Sequence, residues 1–244
     1  MAFKLTIAQL HSLRNNSELN IKKHESLALE AAKYETDLLV FPELSLTGYE
    51  RKLASTQSFT LNDSRLDKLA DISRVHNMVI VAGAPIKEYS LYIGSIVFMP
   101  DGTRKVYYKN NLHEGEELYF KSGSEPLLLH VKDEKIALSI CYDIEVETHF
   151  KMLAKQATLY VSSIFYSPNG MIGLKEKMKT YSRAYGLDVA ISNFVGTIWD
   201  NEAGGKSLLF SKLGECVSEG STDKEALLIS TKTQDTWTTE NITI

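Results

Sequence analysis

The chain has 244 residues, of which 43% are apolar and 24% charged, and its formal net charge is −4. That length buries a sizeable core and fits one large domain or two small ones. The mild acidity argues against a nucleic-acid-binding face, which needs clustered basic residues, and no apolar run approaches a membrane span.

Residues 3–10 alternate and are rich in β-formers, so they read as a strand. Over 15–34, Leu19, Leu27, Ala28, Ala31 and Ala32 recur at helical spacing. The run Asp37-Leu38-Leu39-Val40-Phe41 reads as a strand buried on both faces, ended by Pro42. A helix follows over 65–76 and a strand over 78–84. Strands 90–99 and 103–108 flank the turn Pro100-Asp101-Gly102. Strands 126–130 and 135–140 enclose Lys132-Asp133-Glu134. A helix over 148–157, a strand over 158–163, a helix over 174–185 and a strand over 189–194 come next. Short strands are expected at 206–210, 215–218 and 226–231. Residues 232–244 show little apolar periodicity and read as a tail, either mobile or packed on a partner subunit.

Interleaved helices and strands with several hairpins point to a layered α/β protein with mixed sheets and helices outside them. No repeat, low-complexity tract or linker divides the chain, so 1–244 reads as one domain. The densest basic stretch, Lys175, Lys177 and Lys179, is interrupted by Glu176 and reads as a solvated helix face. Only Cys141 and Cys216 are present, too few for a disulfide scaffold. The opening Met-Ala-Phe-Lys-Leu-Thr-Ile-Ala lacks the apolar run of a secretion signal. The expected location is the cytoplasm, with both thiols reduced.

Three segments place a reactive side chain where a strand ends, the usual position for active residues in α/β proteins. Glu43 follows the 37–41 strand among Pro42, Leu44 and Leu46. An apolar setting holds a carboxyl proton longer, which suits a general base, although Glu43 could equally cap the following turn. Lys109 follows the 103–108 strand, a place where surface lysines are also common. Cys141 ends the 135–140 strand ahead of a helix, where a thiol can be activated, although a buried cysteine can serve merely as a small hydrophobe. Together they supply a nucleophile, a base and an oxyanion donor.

The chain resembles the nitrilase superfamily of carbon–nitrogen hydrolases. Phe41-Pro42-Glu43-Leu44-Ser45-Leu46-Thr47-Gly48-Tyr49, Tyr108-Lys109-Asn110-Asn111-Leu112 and Ile140-Cys141-Tyr142-Asp143 match the family's glutamate, lysine and cysteine motifs in chain order. Ala8-Gln9, Asn193 with Gly196, and Gly204-Gly205-Lys206-Ser207 extend the likeness over nearly the whole chain. The resemblance implies a four-layer α-β-β-α sandwich and, in most members, a homodimer, with candidate interface pieces at 150–155 and in the tail. It implies that Cys141 is the nucleophile, Glu43 the general base, and Lys109 with the backbone N–H of Tyr142 the oxyanion donors. A second family glutamate fits Glu116, with Glu117 the other register, and would orient Lys109. No metal or other cofactor is implied.

The sequence departs from the family at Asn111, where histidine is frequent, at Ile144-Glu145, where an arginine is frequent, and at Gly186. Glu145 could favour an amine-bearing substrate or simply face solvent. Cys-Tyr-Asp is more like amidases and carbamoylases than nitrilases. The expected substrate is therefore a small aliphatic amide, with an N-carbamoyl amine or a nitrile as alternatives. A non-catalytic binder on the same fold is a further alternative, as is a papain-like thiol protease using His149. Tyr49, Tyr142, Phe165, Tyr166 and Asn169 are the expected pocket residues.

Overall fold

The structure is a computed structural model and describes residues 2–244. Its first sheet has seven strands in the order β15-β14-β1-β2-β3-β4-β5. These are β1 (Phe3–Gln9), β2 (Leu38–Val40), β3 (Val79–Lys87), β4 (Leu91–Phe98), β5 (Arg104–Tyr108), β14 (Ala226–Thr233) and β15 (Thr236–Thr243). Its second sheet has six, in the order β13-β12-β9-β8-β7-β6. These are β6 (Leu128–Val131), β7 (Glu134–Ile140), β8 (Leu159–Ser163), β9 (Asp188–Ser192), β12 (Leu208–Phe210) and β13 (Cys216–Glu219). A small hairpin, β10 (Thr197–Ile198) and β11 (Asn201–Glu202), stands apart. The helices are α1 (Ser17–Ala32), α2 (Ala54–Gln57), α3 (Asp67–His76), α4 (Glu147–Ala154) and α5 (Pro168–Tyr185).

Both sheets are mixed. β1, β2 and β3 run parallel, as do β7, β8 and β9, and the remaining pairs are antiparallel. The period-two alternation divides each central strand between two cores. Leu5, Ile7, Leu38, Val40, Val79 and Val81 face the second sheet and pack with Ile136, Leu138 and Ile140. Ala8, Leu39, Ile80 and Ala82 face outward onto Leu27, Ala28 and Ala31 of α1 and Leu69 and Ile72 of α3. On the other outer face, Phe150 and Leu153 of α4 and Met171, Leu174 and Met178 of α5 cover the second sheet. The result is the expected four-layer α-β-β-α order.

Two segments differ from expectation. Residues 232–244 are not a tail: β14 runs on to Thr233, and β15 pairs with it antiparallel from Ala226↔Thr243 to Thr233↔Thr236. Thr236, Trp237, Thr238, Thr239 and Ile242 are β-formers, and a sheet edge needs only one apolar face, so low periodicity concealed a strand. Helix α5 begins at Pro168, earlier than the expected 174. Ser167 caps it by accepting from the Gly170 N–H at 3.3 Å, and Pro168 occupies the first turn, where no N–H is required.

Candidate active site

The parallel strands of both sheets point their carboxyl ends to one end of the sandwich. There Ser163 Oγ donates to the Phe41 carbonyl and Ser192 Oγ to the Ala8 carbonyl, each at 2.7 Å, tying the sheets together. Beyond β2 the chain turns tightly, with Leu44 at φ 50° and Tyr49 at φ 61°. Gly83 of β3 makes this turn possible. A Cβ there would stand 2.3 Å from the Pro42 carbonyl oxygen and 2.5 Å from the Leu44 nitrogen. His24 holds the same turn from behind through Ser45 Oγ at 2.8 Å.

These constraints bury Glu43, Lys109 and Glu116 completely. Lys109 Nζ donates to Glu43 Oε1 at 2.7 Å and to the Glu116 oxygens at 2.9 and 2.8 Å. Glu116 also accepts from the Tyr49 hydroxyl at 3.0 Å and the His113 N–H at 2.8 Å. Glu117 is exposed, and Glu116 is the glutamate in contact with Lys109. Glu43 Oε2 is buried and, among the described residues, has no hydrogen-bond partner within bonding distance, although its carboxylate interacts with the Cys141 thiol. Burial raises Glu43 to about 7, against the opposing pull of Lys109. Burial alone would push the Lys109 ammonium down, but Glu43, Cys141 and Glu116 outweigh it and keep it protonated.

Cys141 is buried at the end of β7 in the left-handed region, at φ 47°. That conformation is costly for a residue with a side chain and marks a site where the surroundings over-determine the backbone. Burial, then the Glu43 charge, holds the thiol well above its ordinary range, so it does not ionise unaided. A 3₁₀ turn, Cys141–Glu145, follows, and Tyr142 lies in its first turn, where backbone N–H groups have no intrahelical acceptor.

Asp143 fastens this turn to the lysine loop. Its Oδ1 accepts from the Asn110 and Asn111 N–H groups at 3.1 and 2.7 Å and from Asn111 Nδ2 at 2.9 Å. Its Oδ2 accepts from the Tyr107 hydroxyl at 2.7 Å and the Ile140 N–H at 3.0 Å. Asn111, a departure at the sequence level, thus contributes to the clamp. Asp143 was legible in the Cys-Tyr-Asp motif but was not singled out.

A cavity of about 600 Å³ opens over Cys141. Tyr49, Tyr142, Phe165 and Tyr166 line it as expected. Asn169 does not: it is exposed in the first turn of α5, and Ser167 lines the cavity in that region. Arg51, His113, Trp199 and Asn201 also line it and were not anticipated, because they arrive on loops distant in sequence. Glu145 lines it too, but its carboxylate is already engaged. It accepts from the Tyr166 hydroxyl at 2.6 Å and pairs with Lys177 at 2.6 Å. Burial opposes ionisation of Glu145, yet these partners hold it below the usual carboxylate range.

The carbon-nitrogen hydrolase model matches residues 4–239. The chain belongs to that family. Among its relatives, the glutamine-dependent NAD(+) synthetase of Aquifex aeolicus is 27% identical over 237 residues, 93% of this chain but only 42% of the synthetase. The 2-oxoglutaramate amidase of Bacillus subtilis is 28% identical over 212 residues, 82% of this hydrolase and 80% of the relative. The fold matches that of an amidase of Nesterenkonia AN1 from the nitrilase superfamily, with a TM-score of 0.85 at 20% identity over 93% of this chain and 90% of that one. Among the described residues of this carbon–nitrogen hydrolase, no helix is long and apolar enough to cross a membrane. Its two cysteines are unbonded, Cys141 buried and Cys216 exposed.

Proposed function

We propose that this hydrolase cleaves a small aliphatic amide through a thioester on Cys141 and releases ammonia. The observation that carries this reading is the buried, unpartnered Oε2 of Glu43 on a carboxylate whose other oxygen is held by Lys109. A spare acceptor beside a neutral thiol is what a general base requires.

Glu43 Oε2 takes the thiol proton as Sγ bonds to the amide carbonyl carbon. The oxyanion receives hydrogen bonds from Lys109 Nζ and the Tyr142 N–H. Lys109 has three N–H bonds, and one bifurcated N–H can serve both Glu116 oxygens, leaving another for the oxyanion. Collapse breaks the C–N bond, and Glu43 passes its proton to the departing nitrogen. Water then gives a proton to Glu43 and attacks the thioester, the C–S bond breaks, and the proton returns to sulfur. Glu116 orients Lys109 throughout.

The test is ammonia release across small amides, N-carbamoyl amines and nitriles, with native protein and Cys141→Ala. Turnover of amides that disappears in the variant is the expected result. Turnover of only nitriles or ureido compounds would overturn the substrate class, and an inert Cys141 toward iodoacetamide would favour the non-catalytic binder. A second reading follows from the synthetases: the chain could supply ammonia to a separate ligase. Glutamine outperforming other amides would favour it.

We further propose that residues 1–244 form one domain of a cytoplasmic homodimer that takes a small-molecule substrate. Met152 of α4, 41% exposed, places an apolar side chain on the face expected to dimerise. Light scattering at micromolar concentration that finds only monomer would remove the dimer.

A further inference from the structure

Among the described residues, one cation in the cavity has no carboxylate paired with it. Arg51 lines the same cavity as Cys141. Its guanidinium lies 3.9 Å from the centroid of the Trp199 ring and 5.7 Å from that of Tyr49. Its Nε is buried without a hydrogen-bond partner, and among the described residues no carboxylate pairs with it.

Three acids beside Arg51 or Trp199 in the chain, or lining the cavity, are engaged elsewhere. Glu50, adjacent in the chain, accepts from Arg14 Nε at 2.6 Å and from the Lys52 and Leu53 N–H groups at 2.7 and 3.3 Å. Asp200, adjacent to Trp199, accepts from Arg14 Nη1 at 2.8 Å. Glu145 is held by Lys177 and Tyr166. Arg14 therefore takes up both carboxylates flanking the Arg51–Trp199 stack and leaves Arg51 unneutralised. The stack itself depends on a sharp turn, with Trp199 at φ 46° and Asp200 at φ 63°.

A partly desolvated cation without a counter-charge is unfavourable unless something else meets it. Stacking on indole offsets part of that cost and fixes the plane of the guanidinium. A fixed guanidinium presents parallel N–H groups at the spacing of a carboxylate. We infer that Arg51 is the specificity residue of this site and receives a carboxylate on the acyl side of the substrate. The preferred substrate is then an ω-amide of a dicarboxylic acid rather than a neutral amide or the amine-bearing one that Glu145 had suggested. This rests on the amidase reading, in which ammonia leaves and the carboxylate must sit on the acyl chain.

The experiment compares succinamate and glutaramate with the matched neutral amides butanamide and pentanamide, using native protein, Arg51→Met and Arg51→Lys. The native protein should prefer the charged amides in kcat/KM by about 30- to 100-fold. Arg51→Met should erase that preference mainly through KM, and Arg51→Lys should restore part of it. Equal native rates on charged and neutral amides, or an equal loss on both in Arg51→Met, would overturn the inference. So would a carboxylate preference confined to the leaving-group side of N-carbamoyl amino acids. Calorimetric titration of Cys141→Ala with succinamate and glutaramate separates this from failure of the amidase reading. Binding that vanishes on adding Arg51→Met supports the role of Arg51 even where no amide is turned over, and absence of binding counts against it.

Discussion

Lys109 and Lys232 are both buried, and each lies between two carboxylates. Lys109 meets Glu43 and Glu116 at the carboxyl ends of the parallel strands. Lys232 meets Glu134 at 2.8 Å and Asp188 at 2.9 Å at the opposite end, bridging β14 of the first sheet to β7 and β9 of the second. The remaining oxygens around Lys232 are occupied: Glu134 Oε2 accepts from Thr158 Oγ1 at 2.6 Å and Asp188 Oδ1 from the Lys212 N–H at 2.7 Å. Around Lys109, Glu43 Oε2 is left open beside a thiol on a strained backbone. The same three charges thus make a fastening at one end and a reactive site at the other. The difference lies in one spare acceptor atom and what stands next to it.

Removing each lysine in turn should separate the two ends of the molecule. Lys109→Met takes away the oxyanion donor and leaves Glu43 and Glu116 unopposed, so kcat for the best amide should fall about 10³-fold. Retention of more than a tenth of native kcat would separate Lys109 from the chemistry. A second effect follows from Glu43, raised to about 7 by burial. The base works deprotonated, so kcat/KM should be level above that value and fall about tenfold per pH unit below it. A profile still flat at pH 5 would mean that another group accepts the proton. Smallest in turnover is Lys232→Met: kcat per folded molecule should stay within about twofold. The damage should appear in denaturant titration instead, at about 3 kcal/mol for an ion cluster left without its cation. A large loss of kcat there would show that the two ends are coupled.

His24 offers a further contrast, because it supports the Glu43 turn without taking part in the reaction. Burial lowers it to about 4, so it is neutral in the folded protein. The unfolded chain takes up a proton near pH 6.5 while the folded one resists it until about 4. Stability from this group is therefore complete above 6.5 and declines between those values. His24→Asn should flatten the pH dependence of Tm over that window, and an unchanged slope would refute the assignment.

Much of this was legible in the chain. Glu43, Lys109 and Cys141 each sit next to a strand that its own apolar residues announce, and motif order linked them. The rim was not legible, because Arg51, His113 and Trp199 meet only when separate loops fold over Cys141. Nothing local to Arg51 reveals that Arg14 has claimed Glu50. Asn169 failed for a local reason: a serine cap and a proline in the first turn begin α5 earlier than its apolar spacing announced, and turn that side chain outward. The terminal strand was hidden because threonine is polar in composition and β-forming in conformation.

The placement of β1 between β2 and β14 bears on how the molecule is made. Gln9 donates to the Ser221 carbonyl, 212 residues away, and accepts from the Ser207 N–H, so a residue made early waits for partners synthesised much later. Closing so long a loop is slow, and an unpaired strand edge invites wrong pairing meanwhile. A nascent chain that has already emerged past Glu43, Lys109 and Cys141 still lacks β14, which pairs with β1 in the sheet that carries Glu43 and Lys109. Its thiol should therefore acquire its reactivity only after β14 has left the ribosome.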